Sequence, residues 1–244
     1  MFRFILIVIT VVGFLILSIP ILIAEWILGK FNPRARDISS LRIVQGVFRF
    51  ILLLTGLKLT VIGEENVPKD QPVLYIPNHN SFFDILITYS RCPRLTGYVA
   101  KKSMEKIPLL SNWMKLLYCL FLDRDDIKAG LKTILKGIDQ IKSGISMCIF
   151  PEGTRNKSGE KLLPFKEGSM KMAEKTGCPI IPVTLNNPAN IFENQFPKIR
   201  PVHVVLEYGA PIDLKSLSKE ERKHVGAYTR DIILATFEKN EALV

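Results

Sequence analysis

An apolar run near the start of the chain, FILIVITVVGFLILSIPILIA at residues 4–24, contains no charged residue. At about 1.5 Å rise per residue, a helix of this length reaches across a hydrocarbon core about 30 Å thick. A cleaved signal peptide would have a shorter apolar stretch with a small-x-small site after it, whereas Glu25, Trp26 and Lys30 follow here. The run therefore predicts a helix inserted in a membrane, and a helix in a soluble core is the alternative.

A second apolar segment, LRIVQGVFRFILLLTGLKL at residues 41–59, carries a polar stripe. Arg42, Gln45 and Arg49 share one narrow helical face at about 100° per residue. That pattern is typical of a helix that lies at a membrane interface or packs on a protein.

The connector between the two segments is basic, with Lys30, Arg34 and Arg36 in GKFNPRARD. If both segments spanned a membrane, this connector would lie on the opposite side from the body of the protein, which the positive-inside tendency disfavours. Either the first helix spans alone, or the two segments form a hairpin inserted into one leaflet. Gly13 and Pro20 favour a bent, partly inserted first helix, so we favour the hairpin.

The formal charge of +10 at pH 7 predicts an anionic partner, and composition leaves open a nucleic acid, a membrane surface or a phosphorylated substrate. The four cysteines form no C-x-x-C and no short His/Cys cluster, which argues against a zinc site and against a disulfide framework. Free thiols are typical of a reducing compartment, so we expect the body of the protein on the cytoplasmic side.

After residue 59 short β-rich runs alternate with amphipathic helical patterns. The predicted strands cover residues 58–63, 72–77, 96–101, 147–151, 180–185 and 202–209. The predicted helices cover residues 81–91, 104–116, 126–142, 167–176 and 217–238. Alternation of this kind predicts an α/β domain with a mostly parallel central sheet flanked by helices. We therefore expect an N-terminal two-helix membrane motif at residues 1–57 and an α/β domain at residues 58–244.

Two predicted strands end in the same way, since VLYIPNH and MCIFPEG both run from an apolar strand into Pro and then into polar residues. Ligands collect at the carboxyl ends of strands in open α/β sheets. His79 and Glu152 are therefore predicted to lie on the same edge of the sheet.

His79 and Asp84 are the first candidates for chemistry. A histidine just beyond a strand is suited to general-base work near neutral pH, and a carboxylate on one ring nitrogen fixes its tautomer. The alternative is structural, because Ser81-x-x-Asp84 resembles a helix capping box in which Asp84 binds a backbone amide. The H-x-x-x-x-D spacing alone leaves both interpretations open.

Basic residues after other predicted strands are candidates for binding an anion. Arg155, in FPEGTRNKSG, has the fork geometry that suits phosphate, and Arg124, in FLDRDD, is a second candidate. Lys101 closes a predicted strand and is a third. The alternatives are a solvated loop arginine at Arg155 and an exposed Arg124 beside a capping aspartate.

Four blocks, taken together, resemble the glycerolipid acyltransferase family with its H-x4-D motif, most closely the members that acylate 1-acyl-sn-glycerol 3-phosphate. The blocks are NHNSFFD (78–84), FLDR (121–124), FPEGTR (150–155) and IIPV (180–183), and the match covers roughly residues 58–210. The resemblance implies transfer of a fatty acyl group from a thioester of CoA or acyl carrier protein to the sn-2 hydroxyl of lysophosphatidate, giving phosphatidate.

The resemblance also implies roles for individual residues. His79 would be the general base, oriented by Asp84. The positions that hold the glycerol phosphate would be Arg124, Glu152 and Arg155 with Lys101 as a helper, while Gly153 and Thr154 shape the loop and Pro182 lies on the acyl-donor side. A thioester is already activated, so the absence of a G-x-S-x-G nucleophile elbow from the sequence fits this reaction.

The expected partners are lysophosphatidate, the acyl donor (acyl carrier protein included) and membrane lipids. We expect no metal, no cofactor beyond the acyl co-substrate, and no nucleic acid, which would explain the charge but neither the apolar hairpin nor the His–Asp pair. The expected location is the cell membrane, with the catalytic domain on its cytoplasmic side. Two alternatives stay open: another acceptor, such as glycerol 3-phosphate or a different lysophospholipid, and a non-catalytic lipid-binding protein.

Overall fold

The computed structural model describes residues 1–244, and its helices and strands alternate through most of the chain. The helices are α1 (Phe2–Leu17), α2 (Ile19–Phe31), α3 (Pro33–Thr55), α4 (Phe83–Tyr89), α5 (Leu110–Leu116), α6 (Ile127–Lys142), α7 (Lys171–Thr176), α8 (Lys219–Lys223) and α9 (Val225–Asn240). The strands are β1 (Lys58–Ile62), β2 (Leu74–Pro77), β3 (Thr96–Lys101), β4 (Leu120–Leu122), β5 (Ser146–Cys148), β6 (Ile180–Asn186) and β7 (His203–Tyr208).

The seven strands form one sheet in the order β1-β7-β6-β2-β5-β3-β4, in which only the β6–β7 pair is antiparallel. The predicted α/β fold with a mostly parallel central sheet is therefore confirmed. Strands β2 to β6 all point the same way, so the loops that follow them emerge at one edge of the sheet. We call this edge the carboxyl edge.

Strand β2 lies at the centre of the sheet and is buried on both faces, which explains its continuous apolar sequence. Its Tyr75 faces a core shared with the N-terminal helices, α4 and α5. Its Leu74 and Ile76 face a second core shared with α6, α7 and α9. The two cores hold β2 rigidly, so the loop that begins at Asn78 starts from a fixed point.

The first predicted apolar helix is divided in two, because α1 and α2 meet at Ser18 with a bend of 47°. Pro20 lies in the first turn of α2, where its missing N–H costs no helical hydrogen bond. Ser18 is fully buried, and its hydroxyl accepts from Trp113 Nε1 at 2.9 Å and donates to Leu15 O. The bend is therefore anchored to α5, which belongs to the α/β body.

Helix α3 packs its polar stripe on the body. Gln45 Nε2 donates to the carbonyls of Tyr89 (3.2 Å) and Cys92 (2.8 Å), and Arg49 Nη2 donates to Ser90 O at 2.9 Å. These carbonyls lie at the carboxyl end of α4, where helical acceptors lack partners. The sequence left open whether this stripe lies at a membrane interface or packs on protein, and in the structure it packs on protein.

The basic connector of residues 29–37, whose Arg34 and Arg36 lie in the first turns of α3, is also docked on the body. Arg36 Nη2 lies 3.2 Å from the hydroxyl of Tyr118, and that hydroxyl donates to Asp37 Oδ2 at 2.9 Å. By length and composition α3 could cross a membrane, and α1 with α2 could do so as a bent pair. About a third of the apolar window of α3 is nevertheless buried within the chain.

Three predicted helices of the body are divided and one strand was missed. The predicted helix 167–176 begins as a 3-10 turn and continues as α7. The predicted helix 104–116 becomes a 3-10 turn and α5, because Pro108 and Leu109, whose φ is 62°, break the helical path. The predicted helix 217–238 is divided at His224 into α8 and α9. Strand β4 has three residues, too few for an alternating pattern to be visible in the sequence.

Candidate active site

Asn78 fixes the loop that carries His79. Its side chain donates to the carbonyl of Leu185 at 3.0 Å and accepts from the N–H of the same residue at 2.8 Å. Asn78 is fully buried, so this paired bond to β6 is shielded from water. The backbone that leads into His79 is therefore tied to two neighbouring strands.

His79 and Asp84 are in direct contact, since His79 Nδ1 lies 2.8 Å from Asp84 Oδ2. The same oxygen accepts the backbone N–H of Asn80 and of Ser81, each at 2.8 Å. An ionised carboxylate can only accept, so Nδ1 carries the proton and Nε2 is left with a free lone pair. Asp84 is fully buried and thus satisfies both interpretations left open by the sequence: it holds the start of a helix and orients a histidine.

The His79 ring is held from the side as well. It stacks on Phe150 with the ring centroids 4.0 Å apart, and Phe150 in turn lies next to Tyr98. The His79 side chain is 13% exposed. Phe150 lies just after β5 and immediately before Pro151. The loop that follows β5 therefore packs on His79, which lies in the loop that follows β2.

Glu152 joins the two loops that the sequence placed on one edge. Its Oε1 accepts from the backbone N–H of His79 at 2.7 Å, and its Oε2 accepts from the N–H of Leu163 at 3.0 Å. Burial raises the pKa of this carboxyl above its ordinary value, although the two N–H bonds act in the opposite direction. The shared edge is therefore present, and both oxygens of Glu152 face protein amides, while a contact with substrate stays a prediction.

Arg155 lies beside the histidine loop. Its guanidinium sits 3.6 Å above the ring of Phe82, and its Nη1 is 3.4 Å from Glu193 Oε1. Planar guanidinium on an aromatic face is a common arrangement because the ring quadrupole attracts the cation. Arg155 is therefore held against Phe82, which lies between Ser81 and Asp84 in the sequence. Its single ion pair, with Glu193, is long and weak.

Glu193 is a residue that the sequence analysis missed. It lies in a 3-10 turn between β6 and β7, and its carboxylate accepts from Ser81 Oγ at 2.8 Å and from the N–H of Phe82 at 2.7 Å. It thus binds the start of α4, the helix that carries Asp84. The only sequence signal was an acid placed after a strand that ends on the carboxyl edge, without a motif around it.

Arg124 and Lys101 lie further along the carboxyl edge. Both side chains are exposed, and neither makes a hydrogen bond or ion pair within the chain. Arg124 follows β4 and Lys101 ends β3, and these strands are three and two positions away from β2 in the sheet. At about 4.8 Å per strand this places Arg124 roughly 14 Å from the histidine loop. The structure therefore brings together His79, Asp84, Glu152 and Arg155, and does not bring Arg124 or Lys101 into contact with them.

The remaining predicted residues have simpler surroundings. Gly153 has a φ of 72°, a left-handed conformation in which Gly is favoured, and Lys166 Nζ lies 2.9 Å from where a Cβ would be. Thr154 is exposed beside it. Pro182 is buried in β6 opposite Ile76, away from the edge, so its assignment to the acyl-donor side stays a prediction.

A cavity of about 460 Å³ lies beside Pro77 and Tyr98, on the face of the sheet that packs against the N-terminal helices. Half of its 14 lining residues are hydrophobic, and the lining includes Tyr75, Pro77, Tyr98, Cys148 and Val183 as well as the charged Glu64, Glu65, Lys69 and Arg91. Tyr75 is buried and its hydroxyl has no hydrogen-bond partner in the chain. No group of three His, Cys, Asp or Glu side chains is arranged to hold a metal ion.

Comparisons with known proteins agree with this geometry. Residues 58–186 match the model of the family described as Acyltransferase. The 1-acyl-sn-glycerol-3-phosphate acyltransferase of Haemophilus influenzae is 34% identical over 229 residues, which cover 90% of this chain and 91% of that protein. The protein of the same name from Borreliella burgdorferi is 34% identical over 82% of this chain and 79% of its own length. That of Saccharomyces cerevisiae is 30% identical over 79% of this chain and 64% of its own length.

A solved structure has the same fold. The crystal structure of the 1-acyl-sn-glycerophosphate acyltransferase PlsC from Thermotoga maritima superposes with a TM-score of 0.84 and covers 99% of this chain and 95% of that one. The sequence identity is 23%, so this similarity is one of fold.

Proposed function

Because this chain belongs to the acyltransferase family, we propose that it is a 1-acyl-sn-glycerol-3-phosphate O-acyltransferase. It transfers a fatty acyl group from a thioester to the sn-2 hydroxyl of lysophosphatidate and releases phosphatidate and the free thiol. Support comes from relatives with that name that align over most of the chain. The single observation that carries the proposal is the 2.8 Å contact between His79 Nδ1 and Asp84 Oδ2, which leaves Nε2 free to take a proton.

In the proposed reaction His79 Nε2 accepts the proton of the sn-2 hydroxyl as its oxygen attacks the thioester carbonyl. The new C–O bond forms, the C–S bond breaks, and the imidazolium returns the proton to the departing thiolate. Asp84 stabilises the imidazolium through Nδ1–H, and general-base assistance of this kind contributes about 10²–10⁴-fold. The acyl group is already activated, so no covalent enzyme intermediate is needed.

The phosphate of the acceptor is proposed to bind at Arg155. This guanidinium lies on Phe82 at the end of the His79 loop, and its present partner, Glu193, is 3.4 Å away and already accepts two shorter hydrogen bonds. A phosphate accepts bidentate bonds from arginine and competes well for it. Arg124 and Lys101 have no partners in the chain. They are proposed to extend the anion-binding surface along the carboxyl edge, where it would meet the phosphates of the acyl donor or an acidic carrier protein.

The acyl chain of one substrate is proposed to enter the cavity beside Pro77 and Tyr98. The lining by Tyr75, Tyr98 and Val183 offers apolar contact, and a volume of about 460 Å³ is within the range of small-molecule sites. This arrangement would place the thioester carbonyl, at the end of the chain, beside His79.

For the N-terminal helices we propose insertion from one side, with the α/β body on the cytoplasmic side of the membrane. The start of α3 contacts Tyr118 through Arg36 and Asp37, and at the other end Phe4 in α1 stacks on Phe192 of the body with the ring centroids 5.4 Å apart. Both ends of the N-terminal motif therefore contact the α/β body. This supports a motif that lies along the body and inserts into one leaflet of the membrane.

The experiment is an acyl-transfer assay with purified protein in mixed micelles. Lysophosphatidate, glycerol 3-phosphate and lysophosphatidylglycerol are supplied in turn with acyl-CoA or acyl carrier protein, and thiol release is followed together with the lipid product. We expect turnover with lysophosphatidate and its loss in His79→Ala, with folding and membrane association retained. Substantial residual activity in that variant would contradict the role of His79, and turnover only with another acceptor would contradict the substrate.

A further inference from the structure

Helix α6 carries a row of apolar side chains that nothing in the chain covers. Ile127, Leu131 and Leu135 are 89%, 60% and 50% exposed and follow one another at four-residue spacing, so they form one stripe. Ile138 and Ile141, on later turns of the same apolar face, are buried in the core beneath the sheet. The exposed stripe is therefore the part of this face, at the start of α6, that the core does not cover.

A row of lysines runs beside this stripe. Lys128, Lys132 and Lys136 each follow one of the apolar residues, which places them about 100° further around the helix. None of the three forms an ion pair with an acid in the chain, and Asp139 is the single acid of the helix. The charge of this row is thus left for an external partner.

The basic surface continues toward the N-terminal helices. Lys102 pairs with Glu105, and both Lys115 and Lys136 act electrostatically on the same carboxylate. Lys115 also lines a hollow with Trp26 and Lys30 of α2. The α6 lysines therefore connect, through α5, to the part of the chain proposed to enter the membrane.

We propose that helix α6 is a second membrane-docking element, which lies on the surface of an anionic bilayer with Ile127, Leu131 and Leu135 among the lipid headgroups. An apolar stripe bordered by lysines is what a helix needs to lie in the plane of such an interface. A second copy of this chain is a poor partner, because two identical rows of unpaired lysines would face each other across the contact. Docking here would rest the β4 side of the body on the bilayer and bring Arg124, three residues before the start of the helix, to the level of the headgroups.

The test places an environment-sensitive fluorophore at Leu131→Cys in the full chain. The four native cysteines are mostly buried and their pKa values are raised by burial, so the introduced thiol is labelled selectively near neutral pH. Two matched controls use the same label: Ile9→Cys, which is 61% exposed in α1, and Glu220→Cys, which is exposed in α8. Vesicles of phosphatidylcholine are compared with vesicles that also contain phosphatidylglycerol.

We expect the probe at residue 131 to shift to the blue and to lose accessibility to iodide on the vesicles that contain phosphatidylglycerol. The probe at residue 9 should respond on both vesicle types and the probe at residue 220 on neither. In the triple variant Lys128→Gln/Lys132→Gln/Lys136→Gln, the same response at residue 131 should require about 10²-fold more anionic lipid. Each lysine is expected to contribute about fivefold to the binding constant for the surface. No substrate is present, so the outcome does not depend on the proposed enzymatic activity.

Two results would overturn the proposal. If the probe at residue 131 stays exposed to water while the probe at residue 9 responds, α6 does not touch the bilayer. If residue 131 responds equally with and without phosphatidylglycerol, the lysine row has no part in docking. Circular dichroism of each variant checks that these surface substitutions leave the fold intact.

Discussion

Oδ2 of Asp84 lies 2.8 Å from Nδ1 of His79, and the same oxygen accepts the backbone N–H groups of Asn80 and Ser81. One atom therefore serves the start of α4 and the orientation of the histidine. The two interpretations of the H-x-x-x-x-D spacing are not exclusive, because the residues to be capped and the histidine to be oriented lie in the same turn. The relationship also shows how the two roles can be separated by mutation.

Asp84→Asn should separate activity from stability. The amide oxygen can still accept from the backbone, but the charge that stabilises imidazolium at His79 is lost, so kcat should fall by about 10²–10⁴-fold. Asp84→Ala should lose activity and, because it leaves two backbone N–H groups without an acceptor, also about 1–3 kcal/mol of stability. Steady-state kinetics and thermal unfolding in detergent measure the two effects. A near-wild-type kcat in Asp84→Asn would mean that Asp84 acts only as a helix cap.

Glu152→Gln should change how stability depends on pH. Burial raises the pKa of the folded-state carboxyl above its ordinary value of about 4.5, so the folded protein holds this proton to a higher pH than the unfolded chain does. The contribution of Glu152 is therefore most favourable at low pH and declines as the pH rises through its folded-state pKa. Glutamine cannot titrate, so the wild type should lose Tm relative to Glu152→Gln as the pH rises above about 4.5.

A constant difference in Tm between the two proteins is expected in addition to this trend. A glutamine amide places its own N–H against one of the two backbone N–H donors, those of His79 and Leu163. The measurement is Tm against pH for both proteins. A difference in Tm that does not change with pH would show that burial does not perturb this carboxyl.

Glu193→Ala should lower kcat more than it raises KM. Removing the carboxylate takes two acceptors away from the start of α4, so the helix that carries Asp84 is held less firmly and kcat should fall about tenfold. The same change removes the acid that competes for Arg155, so KM for lysophosphatidate should stay level or decrease. Arg155→Lys is the matched comparison, since it loses the planar fork and should raise KM by about tenfold. A parallel rise of KM in both variants would place Glu193 in substrate binding instead.

The parts of the fold that the sequence predicts well are those set by local pattern. The strands at residues 58–63, 96–101 and 180–185 and the helix at residues 126–142 are correct to within one residue at each end, since their apolar periodicity is unbroken. A bend in the first apolar helix was indicated by Gly13 and Pro20, but its place at Ser18 depends on a contact with Trp113, and the positive φ of Leu109 after Pro108 is not visible in a local pattern. Similarly, His79 and Glu152 were predictable from strand ends, while Glu193 reaches α4 from a turn more than one hundred residues later in the chain.

The native cysteines should be unreactive in the folded protein. Burial raises the pKa of Cys92 to about 11 and of Cys119 to about 12, and it raises those of Cys148 and Cys178 as well. Only the thiolate reacts, so at pH 8 the rate with a chromogenic disulfide should be at least about 10²-fold below that of a free cysteine. Absorbance before and after denaturation measures this, with four thiols expected only after denaturation. Rapid release from the native protein would show that one thiol is accessible.

Arg34→Cys should be labelled from the same face of the membrane as a cysteine in the α/β body. Arg34 is exposed in the connector, and that connector contacts the body through Arg36 and Tyr118, so a motif inserted from one side keeps both on one face. Lys215→Cys, exposed in the body, is the matched control. Inside-out and right-side-out vesicles are treated with a membrane-impermeant maleimide, and both variants should react only in the orientation that exposes the cytoplasmic face. Reaction of Arg34→Cys in the opposite orientation from Lys215→Cys would mean that α1 and α2 cross the bilayer, and the contact with Tyr118 would then have to break in the membrane.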